Sequence, residues 1–282
     1  MVTPLPPAAC LDPPAAALAL VPGLEQGGVP QLLQRLVGGS VNHTWRVDTS
    51  AGRYTLRLDA SVDRRPGVDR RRELLLHAAA AEAAIAPRIV LAKPEAQVLI
   101  CEFLDGRCWT TSDFQQDESL DRLGERLAAL HALLPPAQCA GRFEPLALVR
   151  HYLELAGVAS VAAHDAGKVL SRLRGSVTQI EAAAARPGIV HGDLPYGNVL
   201  ENSALWLLDW EYAQLADPIY DVACILACVP LSGRRQRRLL AAAGLGDREG
   251  AARLPAAVDI YRALTWAWQL ARGERAAAPE MS

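Results

Sequence analysis

An α+β chain in two parts is predicted: a β-rich first hundred residues holding one helix, then a mostly helical remainder. Three observations carry this. Residues 41–47 and 53–58 alternate apolar and polar side chains, the period of a half-buried strand. From Ser119 onward the apolar residues recur at helical spacing. The change falls near Asp105-Gly106, a turn-forming pair.

The elements follow in order. Residues 1–30 are rich in Pro, Ala and Gly and read as a loosely ordered or short helical lead-in. A strand-like pattern starts at Gln31. Val41 to Val47 and Arg53 to Leu58 form a hairpin about the turn-prone Asp48 to Gly52. Arg70 to Ala84 is helical and is closed by Pro87. Arg88 to Val90 reads as a strand, and Val98 to Leu104 as a short buried one. Leu120, Leu123, Leu127, Leu130 and Leu134 line one face of a helix over 119–134. Helices follow at 144–157 and 160–185, then a hairpin near 189–208, then helices near 217–229, 234–243 and 255–272. The organisation is a lead-in (1–30), a first lobe (31–104) and a second lobe (105–282).

Hydrophobic content of 51% is ample for a core, and the net charge of −2 implies neither a nucleic-acid nor a membrane-surface partner. No run approaches the ~18 apolar residues of a membrane span. The six cysteines form no C-x-x-C pair, and Cys101, Cys224 and Cys228 sit in apolar runs. With no secretory signal, this points to a reducing cytoplasm. Lysine is nearly absent, only Lys93 and Lys168 occurring against many arginines.

The most informative segment is 191–212, HGDLPYGNVLENSALWLLDWEY. It aligns His191, Asp193, Asn198 and Asp209. Ile189 and Val190 lead into a polar loop; Val199-Leu200 and Leu205 to Leu208 form two short strands about Asn202-Ser203. That register puts Asn198 and Asp209 at one end of a hairpin. Asn and Asp offer the hard oxygen ligands that Mg²⁺ prefers. Asp193 can orient a hydroxyl and accept its proton. Together they suit phosphoryl transfer, which asks the protein for positioning and charge neutralisation. Turn chemistry alone also favours Asp, Gly and Asn in such a loop.

HGDLPYGNVL followed by LLDWEYAQLADPIYDVA resembles the aminoglycoside phosphotransferase and choline kinase superfamily, closest to its bacterial choline kinase and thiamine kinase branch. Weaker similarity runs from about residue 35 to about 272. The resemblance implies a two-lobed protein-kinase-like fold, with a small β-rich N-lobe and a larger, mostly helical C-lobe. It implies ATP and Mg²⁺ as cofactors, a small-molecule acceptor, and an alcohol-directed phosphotransferase. The loop lacks the arginine of H-R-D, which points away from protein substrates.

Residue roles follow from the same alignment. Asp193 orients the acceptor and accepts its proton late, since an ordinary aspartate is a weak base with a pKa of about 3.9. His191 braces the loop. Asn198 and Asp209 hold the metal, and Asp221, in PIYDVA, steadies the loop from the next helix. Asp217 and Pro218 sit where they can start that helix. Gly38-Gly39-Ser40-Val41-Asn42 occupies the phosphate-covering turn, with Gly39, Ser40 and Asn42 as contacts. Arg57 stands where protein kinases carry a lysine, and its fork suits phosphate. Glu73 is its expected partner. Glu102, Phe103 and Leu104 form the hinge whose backbone meets adenine.

The acceptor is the least specified part. Trp210, Tyr261, Trp266 and Trp268 with Glu211 suit a quaternary ammonium or thiazolium ring through cation–π attraction of about 0.5–2 kcal/mol per contact. Tyr261, Leu264 and Trp268 also fit a core stripe at helical spacing. Glu211 alternatively touches a second metal or a nearby base. Asp113, Asp117, Glu118 and Asp121 keep an aminoglycoside or sugar acceptor open. A catalytically silent nucleotide-binding protein is a third reading, against which retention of Asp193, Asn198 and Asp209 argues. The basic run 233–238 reads as a solvated helix face.

Overall fold

The computed structural model describes residues 12–36, 42–59, 66–139, 141–157, 160–183, 185–194 and 196–281. The chain divides into two compact units, Met1–Ser61 with Pro87–Asp105, and Val62–Ala86 with Gly106–Ser282.

The first unit is a five-stranded antiparallel sheet with a helical turn packed on it. Its elements are α1 (Ala15–Leu18), β1 (Leu32–Leu36), β2 (His43–Thr49) and β3 (Gly52–Leu58). After the excursion of 62–86 come β4 (Ile89–Lys93) and β5 (Val98–Glu102), and the sheet order is β1-β2-β3-β5-β4. Trp45 and Val47 of β2, Tyr54 and Leu56 of β3, and Val98 and Ile100 of β5 bury one apolar face. Thr49 pairs directly with Gly52. The turn is therefore only Ser50-Ala51, tighter than the predicted 48–52, because Asp48 stays in the ladder opposite Arg53. Residues 15–24 follow the short helical alternative, with Ala17, Val21 and Leu24 buried in the same cluster.

The second unit begins with helix α2 (Arg70–Glu82), capped by Asp69, whose carboxylate accepts the N–H groups of Arg71 and Arg72 at 3.0 Å each. The sequence places this helix with the sheet. In the structure its apolar side joins the helical unit, where Leu76, Ala80, Ile85 and Ala86 share one core with the later helices. Two short strand sets follow: β6 (Arg107–Cys108), β8 (Val199–Glu201) and β9 (Leu205–Leu207) in one, β7 (Gly188–Val190) and β10 (Gln214–Ala216) in the other. The helices are α3 (Asp117–His131), α4 (Pro145–Ala156), α5 (Ser160–Ala182), α6 (Ile219–Cys228), α7 (Gly233–Ala242) and α8 (Arg248–Ala271).

Two boundaries differ from the sequence reading for physical reasons. The leucine stripe of α3 is buried at 120, 123, 127 and 130, but the helix stops at His131 and leaves Leu134 79% exposed. Helix α8 starts at Arg248 instead of 255. Asp247 accepts the Gly250 N–H at 2.6 Å and nucleates it upstream of Pro255, which is carried inside the helix. The basic α7 is not a plain solvated face. Arg234, Arg235 and Arg238 pair with Asp117, and Arg238 also grips Asp121 at 2.5 Å. The two helices come so close that a Cβ on Gly124 would lie 2.4 Å from the Cβ of Ala242. No helix among the described residues is long and apolar enough to cross a membrane.

Candidate active site

The loop after β7 is fixed almost entirely by groups from other elements. Asp221 of α6 is fully buried and accepts the backbone N–H of His191 at 3.1 Å and of Gly192 at 2.9 Å. His131, the last residue of α3, donates from Nε2 to the same carboxylate at 2.8 Å. A buried carboxylate needs such donors, because an unpaired charge away from water is costly. Cys224, one helical turn beyond Asp221, accepts the Leu194 N–H at 3.3 Å. The Tyr261 hydroxyl of α8 donates to the Gly192 carbonyl at 3.2 Å. Gly192 itself is required: its φ is +77°, and a Cβ there would lie 2.7 Å from the Tyr212 carbonyl oxygen.

His191 is buried and donates from Nε2 to the Leu208 carbonyl at 2.9 Å. A carbonyl can only accept, so Nε2 carries the proton, and Nδ1 takes the Asp193 N–H at 3.3 Å. Burial lowers its pKa, favouring the neutral ring this bonding needs.

Asn198 donates from its amide nitrogen to the Asp193 carbonyl at 3.0 Å and to Asp193 Oδ2 at 3.3 Å. That bond orients the carboxylate and spends the Asn198 amide nitrogen, leaving its amide oxygen out of this contact. The Leu208 N–H reaches back to the Asn198 carbonyl at 2.9 Å, so the register of β8 and β9 sets Asp209 beside Asn198. Asp209 holds a left-handed backbone with φ +62°, a conformation uncommon outside glycine that tends to occur at functional sites.

Asp193, Asp209 and Glu211 form an acidic group. Burial, and then the charges of Asp209 and Glu211, push the Asp193 carboxyl well above the usual aspartate range, while the Asn198 hydrogen bond opposes this. A divalent cation fits that surplus of hard, negative oxygen. Among the described residues no group of three or more His, Cys, Asp or Glu side chains is arranged to hold a metal by itself. An Asn–Asp pair matches Mg²⁺, which keeps waters and takes phosphate oxygens as further ligands.

Glu211 is buried and faces Arg70 at 3.5 Å, and Arg70 also pairs with Glu73 at 2.7 Å. On the sheet unit, Arg57 of β3 pairs with Asp59 at 2.8 Å. The sequence reading passes over Asp59, two residues along from Arg57. The Glu102 N–H donates to the Arg88 carbonyl, the Phe103 N–H to the Arg53 carbonyl, and Arg46 lies over the Phe103 ring at 4.5 Å. Glu102 also accepts the Arg88 N–H at 2.9 Å through its carboxylate. Leu104 follows them, half-buried, and Asn42 is half-buried just before β2. Gly39 and Ser40 lie outside the described residues.

The rings expected at the acceptor are not gathered. Trp210 is fully buried, spends its N–H on the Leu207 carbonyl at 2.9 Å, and packs edge-on against His191 and face-on against His77. It is core, buried with its N–H spent. Trp266 is also buried, its N–H donating to the Ala276 carbonyl at 3.3 Å, and Trp268 lies under Arg272. These two pin the C-terminal segment. Tyr261 reaches the loop through its hydroxyl, as a brace. Sequence reasoning missed His131, Cys224 and that use of Tyr261: each is far from the motif in the chain, and no local pattern marks them.

A family model described as the phosphotransferase enzyme family matches residues 33–256. Solved structures similar to the chain include a choline/ethanolamine kinase family protein from Mesorhizobium loti, 24% identical over 92% of this chain and 86% of that one, with a TM-score of 0.75. The choline kinase LicA from Streptococcus pneumoniae is 15% identical over 89% and 88%, at 0.74. An ADP-bound aminoglycoside phosphotransferase is 15% identical over 83% of each chain, at 0.60. Among curated proteins no match is found.

Proposed function

Because the chain belongs to the phosphotransferase enzyme family, we propose that it moves the γ-phosphoryl group of Mg-ATP to a hydroxyl of a small, cationic alcohol related to choline, ethanolamine or thiamine. The observation that carries this reading is Asp193, fixed by Asn198 and held among Asp209 and Glu211.

In this mechanism the acceptor hydroxyl donates to the Asp193 carboxylate, its oxygen attacks the γ-phosphorus, the bond to ADP breaks, and the hydroxyl proton ends on Asp193. In the metal-free protein burial, with the charges of Asp209 and Glu211, raises the Asp193 pKa above that of a free aspartate. Asn198, through its amide oxygen, and Asp209, through its carboxylate, would hold Mg²⁺, which would supply neutralisation of the phosphate charge. Asp221, His131, Cys224 and Tyr261 keep the loop still, so that the carboxylate does not have to be ordered at the moment of reaction. His191, neutral and spent on backbone partners, positions Asp193. Arg57 serves the phosphates. With the amides of Glu102 and Phe103 spent within the sheet, adenine recognition falls to the backbone of Leu104 and the carbonyls beside it.

For the acceptor, the acidic group supplies attraction for a cation without a ring cage, since Trp210 and Trp266 are core. Three of the four acids that would favour an aminoglycoside, all but Glu118, are already engaged. Asp113 is held by Arg107 at 2.8 Å, and Asp117 and Asp121 are held by the arginines of α7. The named acceptors of the Mesorhizobium and Streptococcus proteins agree with a small alcohol.

The test is ADP release from Mg-ATP against choline, ethanolamine, thiamine, amino sugars and kanamycin-like aminoglycosides. Turnover with one small cationic alcohol supports the proposal. Turnover with aminoglycosides alone overturns the acceptor assignment, and ATP binding without transfer to any acceptor favours a silent nucleotide-binding protein.

A further inference from the structure

Helix α2 grips the turn that carries Asp209. Arg70, Glu73 and His77 stand at spacings of three and four and share one helix face. His77 stacks on the Trp210 ring, 5.8 Å between centroids. Arg70 reaches Glu211 at 3.5 Å and Glu73 at 2.7 Å. Arg72 donates from Nε to the Ala213 carbonyl at 2.9 Å and from Nη2 to the Gly67 carbonyl at 2.5 Å. Residues 210, 211 and 213 are each held from α2, just after the left-handed backbone of Asp209. We propose that Arg70 is a positioning residue for phosphoryl transfer, which fixes the Asp209–Glu211 turn by holding the Glu211 carboxylate.

Burial explains why one arginine matters here. Glu73 is 1% and Glu211 5% exposed. Two carboxylates away from water are costly unless a cation stands with them. Arg70 serves both, since its Nη1 meets the Oε2 of each. A guanidinium keeps its charge at any working pH, so this bridge does not loosen by titration.

The turn needs holding. A left-handed residue that carries a side chain persists where its surroundings over-determine it. On one side of Asp209, the Leu208 N–H is fixed to the Asn198 carbonyl. On the other side the contacts come from α2. Arg72 takes a backbone carbonyl and His77 a core ring. Arg70 differs from both, because it grips an acid of the site itself.

The effect on turnover rests on the proposed transfer reaction, so the test carries a readout that does not. The full chain is compared as wild type, Arg70→Gln, Arg70→Lys, Glu211→Gln and the Arg70→Gln/Glu211→Gln double variant. Amide exchange is followed in metal-free protein over 209–213, where the Ala213 N–H is bonded to the Trp210 carbonyl at 2.9 Å. ADP release is measured with whichever of choline, ethanolamine and thiamine turns over. Arg70→Gln should speed exchange over 209–213 but not in α6 or α8. It should lower kcat by about tenfold or more, the scale on which small misplacements act, with the KM for Mg-ATP unchanged. Arg70→Lys keeps the charge and should recover part of both losses. The double variant should be no worse than Glu211→Gln alone, because Arg70 acts through Glu211. Wild-type exchange and turnover in Arg70→Gln, additive effects in the double variant, or faster exchange throughout α6 and α8 would overturn the proposal. Should Arg70→Gln not fold, Arg70→Lys reads the same contrast: faster exchange confined to 209–213 supports the proposal, and none or a general rise overturns it. A wild type that transfers to no acceptor would count against the transfer reading, with the exchange data still decisive for the hold of Arg70 on the turn.

Discussion

Removing the Asp221 carboxylate tests whether the transfer loop is held from α6. In the native protein its two oxygens take three donors, the N–H groups of His191 and Gly192 and the Nε2 of His131. Asp221→Ala strands two backbone donors and one imidazole donor around a buried gap. Each orphaned buried donor costs about 1–3 kcal/mol. A water entering the polar gap can recover part of this, so the net loss is roughly 2–5 kcal/mol, a large share of a typical stability of about 5–15 kcal/mol. The loop also loses two of its anchors, and a displacement of the order of 1 Å at Asp193 costs about 10²-fold in rate. Urea unfolding followed by tryptophan fluorescence reads the first effect, and ADP release reads the second. Asp221→Asn should fall between, since its amide keeps one acceptor but turns a donor toward another donor. If Asp221→Ala unfolds at the wild-type midpoint and turns over at the wild-type rate, the brace reasoning is refuted.

Gly192→Ala forces a side chain into a φ of +77° against the Tyr212 carbonyl, and should lower turnover while leaving the sheet unit's melting unchanged. Asp193→Asn should abolish transfer yet raise metal-free stability at neutral pH. The folded pKa lies above the unfolded one, so wild type binds more protons folded and loses stability as pH rises from about 4 through the raised value. The variant should lack that loss, and a wild type with the same pH slope as the variant there would sink the argument. Trp266→Phe, which loses the bond to the Ala276 carbonyl and part of a buried ring, should cost about 1–3 kcal/mol and leave the acceptor KM unchanged. A raised KM would return that ring to the acceptor site.

The elements most legible in the sequence are those with local periodicity. The alternation of β2 and β3 and the leucines of α3 each fix a face without help from distant residues. The transfer motif is legible for the same reason, because His191, Asp193, Asn198 and Asp209 are joined by one loop and one hairpin. The bracing shell is not, since His131 and Tyr261 meet the loop only through tertiary packing. The acids of α3 and the arginines of α7 are likewise more than a hundred positions apart, so Asp117 and Asp121 look free in the sequence although both are paired. The tryptophans mislead in the opposite direction: a ring beside a catalytic motif looks like a binding ring, and only burial and its spent N–H show Trp210 to be core.

The most direct test of the central claim is Mg-ATP binding and ADP release measured side by side for Asp193→Ala. The account predicts binding close to wild type with turnover lower by about 10²-fold or more, the loss expected on removing a positioned base; in the parallel Asp209→Ala, Mg-ATP binding itself should weaken. Full turnover by Asp193→Ala would contradict the assignment of that carboxylate and the mechanism built on it.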